Sequence, residues 1–401
     1  MINKEILKEE SILLPIEYNT GSCEKAIYNR LSEYINLLKK YSVDERLVNL
    51  VRSFCDNLNK MYTEYYLGHQ NKAYQAFKDA LLSQMKGMDI VTAILPKESL
   101  YRARKNEGNR DFKNNEMFHI RYGLRGKVQT QRFSFPGLPC LYLGCSSYVC
   151  WLELNRPQFD QFQVATIRQK NDDRNFKVID LCIHPLTYYK ELAMHETEEG
   201  SEHETLNIMQ YLQWWPIMAA CSIAVKNEDD SFKPEYIFPQ YMLQYLLEEM
   251  NDEDCIGIKY ISIKAGKVSK KQYESDYRTY TNYVIPIRTQ NETENGFCRF
   301  LEKEFGVVRN YSGRELQVLT DSIRGSGIEW RDFENEEENH PLDEAKLYGT
   351  NDIAYLYSKS IFRRIETVLE NEDMDKYSDD GKLIISPISN EEINRLIDSQ
   401  K

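Results

Sequence analysis

The spacing of apolar residues changes near Leu95, and this change constrains the fold more than any other feature of the 401-residue chain. Between residues 24 and 86, apolar residues recur at intervals of three and four, as in Ile27, Leu31 and Leu38. This spacing predicts three short amphipathic helices, which form a small bundle or a cover on the next part of the chain. After Leu95 short apolar runs are separated by turns, so the chain must combine a helical region with a sheet.

Six apolar runs after Leu95 have the length of β-strands, and three helical patterns lie between them. Pro216 is expected to interrupt the longest of these helices. Because the strands and helices do not alternate regularly, we predict an α+β domain and not a doubly wound sheet. The predicted strands cover residues 100–104, 140–143, 162–167, 178–181, 256–262 and 283–287, and the predicted helices cover residues 148–155, 204–225 and 241–250.

The length of the chain exceeds that of a common single domain of roughly 100–200 residues. We therefore expect a helical N-terminal region (1–92), a central domain (93–290) and a mostly helical, acidic C-terminal region (291–401). The C-terminal region has helical patterns over residues 296–305 and 345–371, an acidic loop at residues 334–338 and a helix cap at Asn390. Docking to a partner, oligomerisation and covering an active site are all open roles for it.

The composition excludes several classes of protein. A net charge of −12 argues against a surface that binds nucleic acid throughout. No run approaches the ~18 consecutive apolar residues of a membrane span. The first ten residues include acids where a signal peptide is apolar, and the nine cysteines form no dense framework. We therefore expect a cytoplasmic protein with reduced thiols and no membrane partner.

The stretch from Arg132 to Glu153 has the features of a ligand site. Turn residues precede a short apolar run, and Ser146 and Ser147 can cap the helix that carries Glu153. A helix that begins just after a strand suits an anionic ligand, and Arg132 adds a cation. The segment from residue 101 to residue 135 has nine Lys or Arg against three acids. This basic segment either holds a small polyanion or is simply solvated.

Four separated motifs resemble, in this order, those of the RES-domain family, which is named for its Arg, Glu and Ser. The resemblance covers about residues 95–290 and includes an 11-residue interval between Tyr142 and Glu153. The interval from Glu153 to Ser262 is longer than in the compact toxin members, which predicts an insertion around residues 188–215. The motifs are Tyr101–Arg104, Arg132–Gly137, Leu141–Leu143 followed by Glu153, and Gly257–Ser262, with Pro239–Gln240 and Asn282–Pro286 as flanking similarities.

The resemblance implies a fold similar to that of ADP-ribosyltransferases and an activity on NAD+. Members of the family resemble toxins that destroy NAD+ by phosphorolysis or hydrolysis, and some transfer ADP-ribose to proteins. NAD+ is then a substrate with phosphate as a co-substrate, and neither a cofactor nor a metal is expected. An inhibitory antitoxin or a regulatory protein is the expected partner.

The chemistry of NAD+ cleavage fits the residues of the motifs. Breaking the N-glycosidic bond creates an oxocarbenium-like centre, which the carboxylate of Glu153 can stabilise. Arg102 and Arg132 suit the pyrophosphate because a guanidinium pairs with two phosphate oxygens. Tyr142 can stack on nicotinamide or ribose, and Ser262 can bind the ligand or orient Glu153. The predicted site has Glu153, Arg102 and Ser262 as catalytic residues and Arg132, Tyr142, Tyr101 and Arg104 as substrate-binding residues.

Other patterns are weaker candidates for a site. Cys140, Cys145 and Cys150 recur every five residues, which fits neither a zinc site nor a redox pair, so we expect small buried residues. His195 and His203 lie in an acidic run that is either a metal site or, in our interpretation, a solvated loop. The chain has no dinucleotide-binding or phosphate-loop motif, so NAD+ would not bind as in a dehydrogenase.

The sequence leaves two classes of function open. The first is an NAD+ phosphorylase or glycohydrolase, with protein ADP-ribosylation as its nearest catalytic alternative. The second is a non-catalytic module that binds or senses NAD+. Glu153 together with both arginines favours catalysis. His119, next to Arg121, either reaches the site or is structural, and its apolar neighbours favour a structural role.

Overall fold

The computed structural model describes residues 3–107, 110–185, 188, 202–250, 254–264, 280–288, 292–312, 315 and 361–370. The acidic loop 334–338, His195 and the helix cap predicted at Asn390 lie outside the described residues. The helices of the described part are α1 (Cys23–Lys40), α2 (Glu45–Tyr66), α3 (Gln70–Gln84), α4 (Ser147–Glu153), α5 (Glu202–Cys221), α6 (Ile237–Glu248), α7 (Arg299–Glu304) and α8 (Ile361–Glu370). Its strands are β1 (Thr92–Ile94), β2 (Leu100–Lys105), β3 (Cys140–Gly144), β4 (Phe162–Gln169), β5 (Lys177–Leu181), β6 (Cys255–Ile261), β7 (Thr281–Pro286) and β8 (Phe305–Tyr311).

The N-terminal region forms the three helices that the apolar spacing predicts. Ser22 caps α1, since its hydroxyl accepts a hydrogen bond from the backbone N–H of Lys25 at 3.4 Å. The apolar faces of α1–α3 pack in one core with α5, α6 and the sheet residues Ile258 and Val284. The sequence predicts either a small separate bundle or a cover on the next part of the chain. Because α1–α3 share a core with the sheet, they form a cover on the central part of the chain.

The described strands form one mixed sheet in the order β1-β5-β6-β7-β3-β2-β4-β8. Strands β5 and β6 are parallel, and the other neighbouring strands are antiparallel. This arrangement confirms the predicted mixture of helices and strands without regular alternation. β2 pairs with β4 along its whole length but with β3 only between Tyr101 and Gly144.

Strand β8 lies beyond residue 290, where the sequence predicts that the central domain ends. It pairs with β4 and is the outermost strand on that side of the sheet. The helical pattern over residues 296–305 corresponds only to the short helix α7. The prediction of a mostly helical C-terminal region is therefore wrong for residues 305–311. Pairing with a distant strand decides the conformation of these residues.

Helix α5 runs through Pro216 without a break, so the predicted interruption is wrong. Proline has no N–H to donate to the carbonyl oxygen of Leu212, four residues earlier. That oxygen instead accepts a hydrogen bond from the hydroxyl of Tyr34 on α1, at 2.7 Å. The lost hydrogen bond is thus replaced by a contact between helices. Within the described part of the chain, no helix combines the length and the apolar character needed to cross a membrane.

Candidate functional site

Helix α4 follows β3 closely and carries Glu153 at its C-terminal end. The predicted cap is confirmed, since the hydroxyl of Ser146 accepts a hydrogen bond from the N–H of Val149 at 3.0 Å. A Cβ at Gly144 would lie 2.5 Å from Cγ1 of Val149 and 2.8 Å from Sγ of Cys150. The glycine therefore lets α4 pack close to the end of β3, which determines where Glu153 stands.

Asn282 on β7 holds the carboxylate of Glu153. Its Nδ2 donates a hydrogen bond to Oε1 of Glu153 at 2.7 Å, and the asparagine is only 3% exposed. On the sheet, Asn282 lies between Gly144 on β3 and Tyr260 on β6. The predicted site omits Asn282, although the residue belongs to the flanking similarity Asn282–Pro286. A polar side chain in an otherwise apolar strand was the signal that could have identified it.

Arg132 is a buried cation close to Glu153. Its guanidinium donates hydrogen bonds to the carbonyl oxygen of Ile261, at 3.1 Å, and to that of Cys221. Burial lowers the pKa of Arg132, and the nearby Tyr260 and Glu153 oppose this shift. Ile261 follows Tyr260, the residue of β6 that pairs with Asn282, so Arg132 contacts β6 close to the position where Asn282 holds Glu153. Both residues belong to the predicted site.

Helix α6 supports the turn that carries Arg132. Nε2 of Gln240 donates to the carbonyl oxygens of Gln131, at 3.0 Å, and Ser134, at 3.2 Å. Gln131 and Ser134 also exchange backbone hydrogen bonds of 3.1 and 3.2 Å. The Pro239–Gln240 motif therefore has a structural role at the site, since it fixes the turn on one side of Arg132.

Arg102 and Tyr142 meet where β2 and β3 come together. The guanidinium of Arg102 donates to the carbonyl oxygen of Tyr142 at 3.1 Å. Burial lowers the pKa of Arg102 to about 10, with a further contribution from Arg104, so Arg102 stays charged at neutral pH. Burial raises the pKa of Tyr142 well above its ordinary value. Tyr142 thus holds Arg102 through its backbone carbonyl oxygen.

Four buried polar atoms of these residues have no hydrogen-bond partner among the described residues. They are the Nε atoms of Arg102 and Arg132 and the hydroxyl oxygens of Ser134 and Tyr142. Buried polar groups normally have partners, and leaving one unpaired costs about 1–3 kcal/mol. Among the described residues, the hydrogen-bonding capacity of these four atoms is therefore unused.

Ser262 is fully buried at the end of β6. Its hydroxyl accepts a hydrogen bond from the backbone N–H of Lys264 at 3.3 Å. The ammonium group of Lys264 donates to Oδ1 of Asn155 at 2.5 Å and to Oε2 of Glu228 at 3.2 Å. Ser262 therefore supports a turn that connects β6 to the segment after α4.

Tyr101 and Arg104, two predicted substrate-binding residues, have other contacts. The hydroxyl of Tyr101 donates to Oε1 of Glu370 on α8 at 2.6 Å. Arg104 donates to the carbonyl oxygen of Glu116 at 2.8 Å and lies 4.0 Å from the centre of the Phe112 ring. Tyr101 therefore contacts α8, and Arg104 contacts the segment 112–116. Substrate binding by Tyr101 and Arg104 stays a prediction.

His119 is a buried structural residue. Its Nε2 accepts a hydrogen bond from the backbone N–H of Cys298 at 3.0 Å, and its Nδ1 lies 2.9 Å from the carbonyl oxygen of Ile120. Burial lowers the pKa of His119 to about 4, so the ring is neutral at neutral pH. Both ring nitrogens are engaged, which agrees with the structural role that its apolar neighbours favour.

The nine cysteines are all buried. This confirms the expectation that Cys140, Cys145 and Cys150 are small buried residues. His195 and the side chain of His203 lie outside the described residues. In the part of the chain that is described, no three His, Cys, Asp or Glu side chains form a group that could hold a metal ion.

Comparison with known proteins identifies one relative over most of the chain. A protein of Bacillus subtilis (strain 168) named "Putative toxin YopC" is 30% identical over 327 residues, which are 77% of this chain and 70% of that protein. The chain belongs to the YopC family. No protein-family model matches the chain, and no solved structure matches it.

In this member of the YopC family, the candidate residues include a held carboxylate and two buried guanidinium groups. A carboxylate stabilises the positive charge that develops on a sugar when its glycosidic bond breaks. Guanidinium groups pair with phosphate oxygens. The arrangement is therefore suited to a ligand that has both a glycosidic bond and phosphate groups.

Proposed function

We propose that the chain is an NAD+-consuming enzyme that cleaves the N-glycosidic bond between nicotinamide and ribose, and that it acts as a toxin by depleting NAD+. The name of the B. subtilis relative supports the toxin role. The four sequence motifs support a RES-type fold similar to that of ADP-ribosyltransferases. NAD+ has the glycosidic bond and the phosphate groups to which the site is suited.

The observation that carries this proposal is the carboxylate of Glu153, which Asn282 holds at 2.7 Å close to the buried charge of Arg132. During cleavage, nicotinamide leaves with the electron pair of the C–N bond, and positive charge develops on the ribose. This positive charge is largest in the transition state, so the negative carboxylate of Glu153 stabilises the transition state more than the bound substrate. Arg102 and Arg132 bind the pyrophosphate, and Tyr142 contacts the nicotinamide riboside part.

An oxygen nucleophile completes the reaction by forming a new bond to the ribose carbon. In phosphorolysis the nucleophile is phosphate, and in hydrolysis it is water, whose proton passes to the solvent. Transfer to a protein side chain would make the chain an ADP-ribosyltransferase. A non-catalytic NAD+-binding module would bind the ligand without any of these products.

The test is to incubate the purified chain with NAD+, with and without phosphate, and to identify the products by chromatography and mass spectrometry. We expect nicotinamide release, which depends on added phosphate if the reaction is phosphorolysis and does not depend on it if the reaction is hydrolysis. ADP-ribose phosphate formed only with phosphate indicates phosphorolysis, free ADP-ribose indicates hydrolysis, and ADP-ribose on a protein indicates transfer. NAD+ that binds but stays intact would contradict the catalytic proposal.

The Glu153→Gln variant is the decisive control. It should keep the fold and most of the NAD+ affinity and lower turnover by orders of magnitude, because only the transition state loses its partner. Glu248→Gln is the matched variant, since Glu248 also ends a helix, α6, and lies on the exposed surface. Its turnover should equal that of the original chain. Unchanged turnover in Glu153→Gln would remove Glu153 from the mechanism.

A further inference from the structure

Helix α8 packs directly against α4, the helix that carries Glu153. The ring of Phe362 lies 5.1 Å from that of Tyr148, 5.4 Å from that of Trp151 and 5.7 Å from that of Phe159. Ile365 and Leu369, three and seven residues after Phe362, are buried in the same cluster. The apolar spacing of α8 therefore matches one helical face that covers α4.

Glu366 of α8 contacts the first residue of α4. Its Oε1 accepts hydrogen bonds from the backbone N–H of Ser147, at 2.7 Å, and from the Ser147 hydroxyl, at 2.9 Å. Glu366 is 3% exposed, and the guanidinium of Arg363 lies 3.6 Å from its other oxygen. The first N–H groups of a helix have no acceptor inside the helix, and a negative charge is favourable there. Glu366 therefore anchors the start of α4 from a segment more than 200 residues away in the sequence.

Helix α4 has only seven residues, so its position depends on contacts with the rest of the protein. Glu153 lies six residues after Ser147, which corresponds to about 9 Å along a rigid helix. A displacement of the start of α4 would consequently move Glu153 relative to Asn282. Hydrogen bonds to Glu366 at one end of α4 and to Asn282 at the other fix the helix in two places.

We propose that Glu366 is a positioning residue for Glu153 and acts through α4. This inference rests on the proposed role of Glu153 in NAD+ cleavage. It gives the C-terminal segment 361–370 a function, namely to support the catalytic helix.

The first test compares NAD+ turnover in three variants. Glu366→Ala should lower kcat by about ten- to a hundredfold with little change in KM, because misplacing a catalytic group by about 1 Å costs up to about a hundredfold. Glu366→Gln keeps an oxygen that can accept from Ser147, so it should keep most of the turnover. Glu370→Gln is the matched control, since Glu370 is an acid of the same helix that contacts Tyr101 and Arg363, whereas the hydrogen bonds to Ser147 of α4 come from Glu366.

A second measurement does not depend on catalysis. In protein labelled with 15N-asparagine, the side-chain amide signal of Asn282, assigned with Asn282→Ala, reports its hydrogen bond to Glu153. This signal should shift in Glu366→Ala and stay in place in Glu370→Gln. If the original chain does not consume NAD+, the proposed function fails and the amide signal alone decides the positioning role. Two results would overturn the inference. One is an unchanged Asn282 signal in folded Glu366→Ala protein, and the other is an equal shift of this signal in Glu366→Ala and Glu370→Gln.

Discussion

Replacing Asn282 by alanine should separate the positioning of Glu153 from the binding of substrate. The substitution removes the hydrogen bond of 2.7 Å between Nδ2 of Asn282 and Oε1 of Glu153, in a place where the asparagine is 3% exposed. A hydrogen bond to a charged group contributes about 1.5–3 kcal/mol. If this bond fixes the carboxylate in the transition state, kcat should fall by about ten- to a hundredfold. The affinity for NAD+ should change little, because Asn282 acts on the carboxylate.

The assay is a double-mutant cycle with Asn282→Ala, Glu153→Gln and the combined variant. In the Glu153→Gln background the asparagine has no carboxylate to hold, so its loss should cost little further turnover. Asn310→Ala is a control for the loss of a partly buried asparagine, since Asn310 donates to the carbonyl oxygen of Phe112. Equal effects of Asn282→Ala in both backgrounds would refute the reasoning, because Asn282 would then act independently of Glu153.

Two further predictions concern Arg132 and His119. Arg132→Ala should weaken NAD+ binding by about ten- to a hundredfold and also lower the free energy of unfolding, because the guanidinium holds the carbonyl oxygens of Ile261 and Cys221. Titration of NAD+ in the Glu153→Gln background checks this, with Arg132→Lys as a partial rescue, and an equal dissociation constant would contradict the pyrophosphate role. His119 has its pKa lowered from 6.5 to about 4 in the folded state, so its contribution to stability is complete above pH 6.5 and is lost as the pH falls towards 4. Relative to His119→Leu, the chain should lose about 2 kcal/mol between about pH 8 and pH 5 in urea unfolding, and a constant difference would show that the histidine does not titrate in this way.

The elements around the site could be predicted from the sequence because their signals are local. The apolar run of β3 and the cap at Ser146 lie within a few residues of each other, and both occur where expected. The opposite orientation of Tyr101 and Arg102 could also have been predicted, since neighbours on a strand alternate between its faces. The contacts of Arg104 could not, because Glu116 and Phe112 come from a loop whose path the sequence does not specify.

The remaining differences come from contacts between distant parts of the chain. Pro216 is accommodated inside α5 because Tyr34, far away in the sequence, satisfies the carbonyl oxygen of Leu212. Asn282 becomes part of the site only because β7 pairs with β3, and α8 reaches α4 across most of the chain. Spacing within a short window carries no information about such partners, so these features needed the three-dimensional structure.

The pairing of β8 with β4 limits how far the protein can be shortened from its C-terminal end. A fragment that ends at residue 290 would leave one edge of β4 exposed, with the backbone groups of residues 164–169 lacking their partner strand. Exposed edges of this kind recruit strands from other molecules, so the fragment would be prone to aggregate during expression. A shortened protein should therefore extend through Tyr311 to keep β4 paired with β8, and through Glu370 to keep α8 on the helix of Glu153.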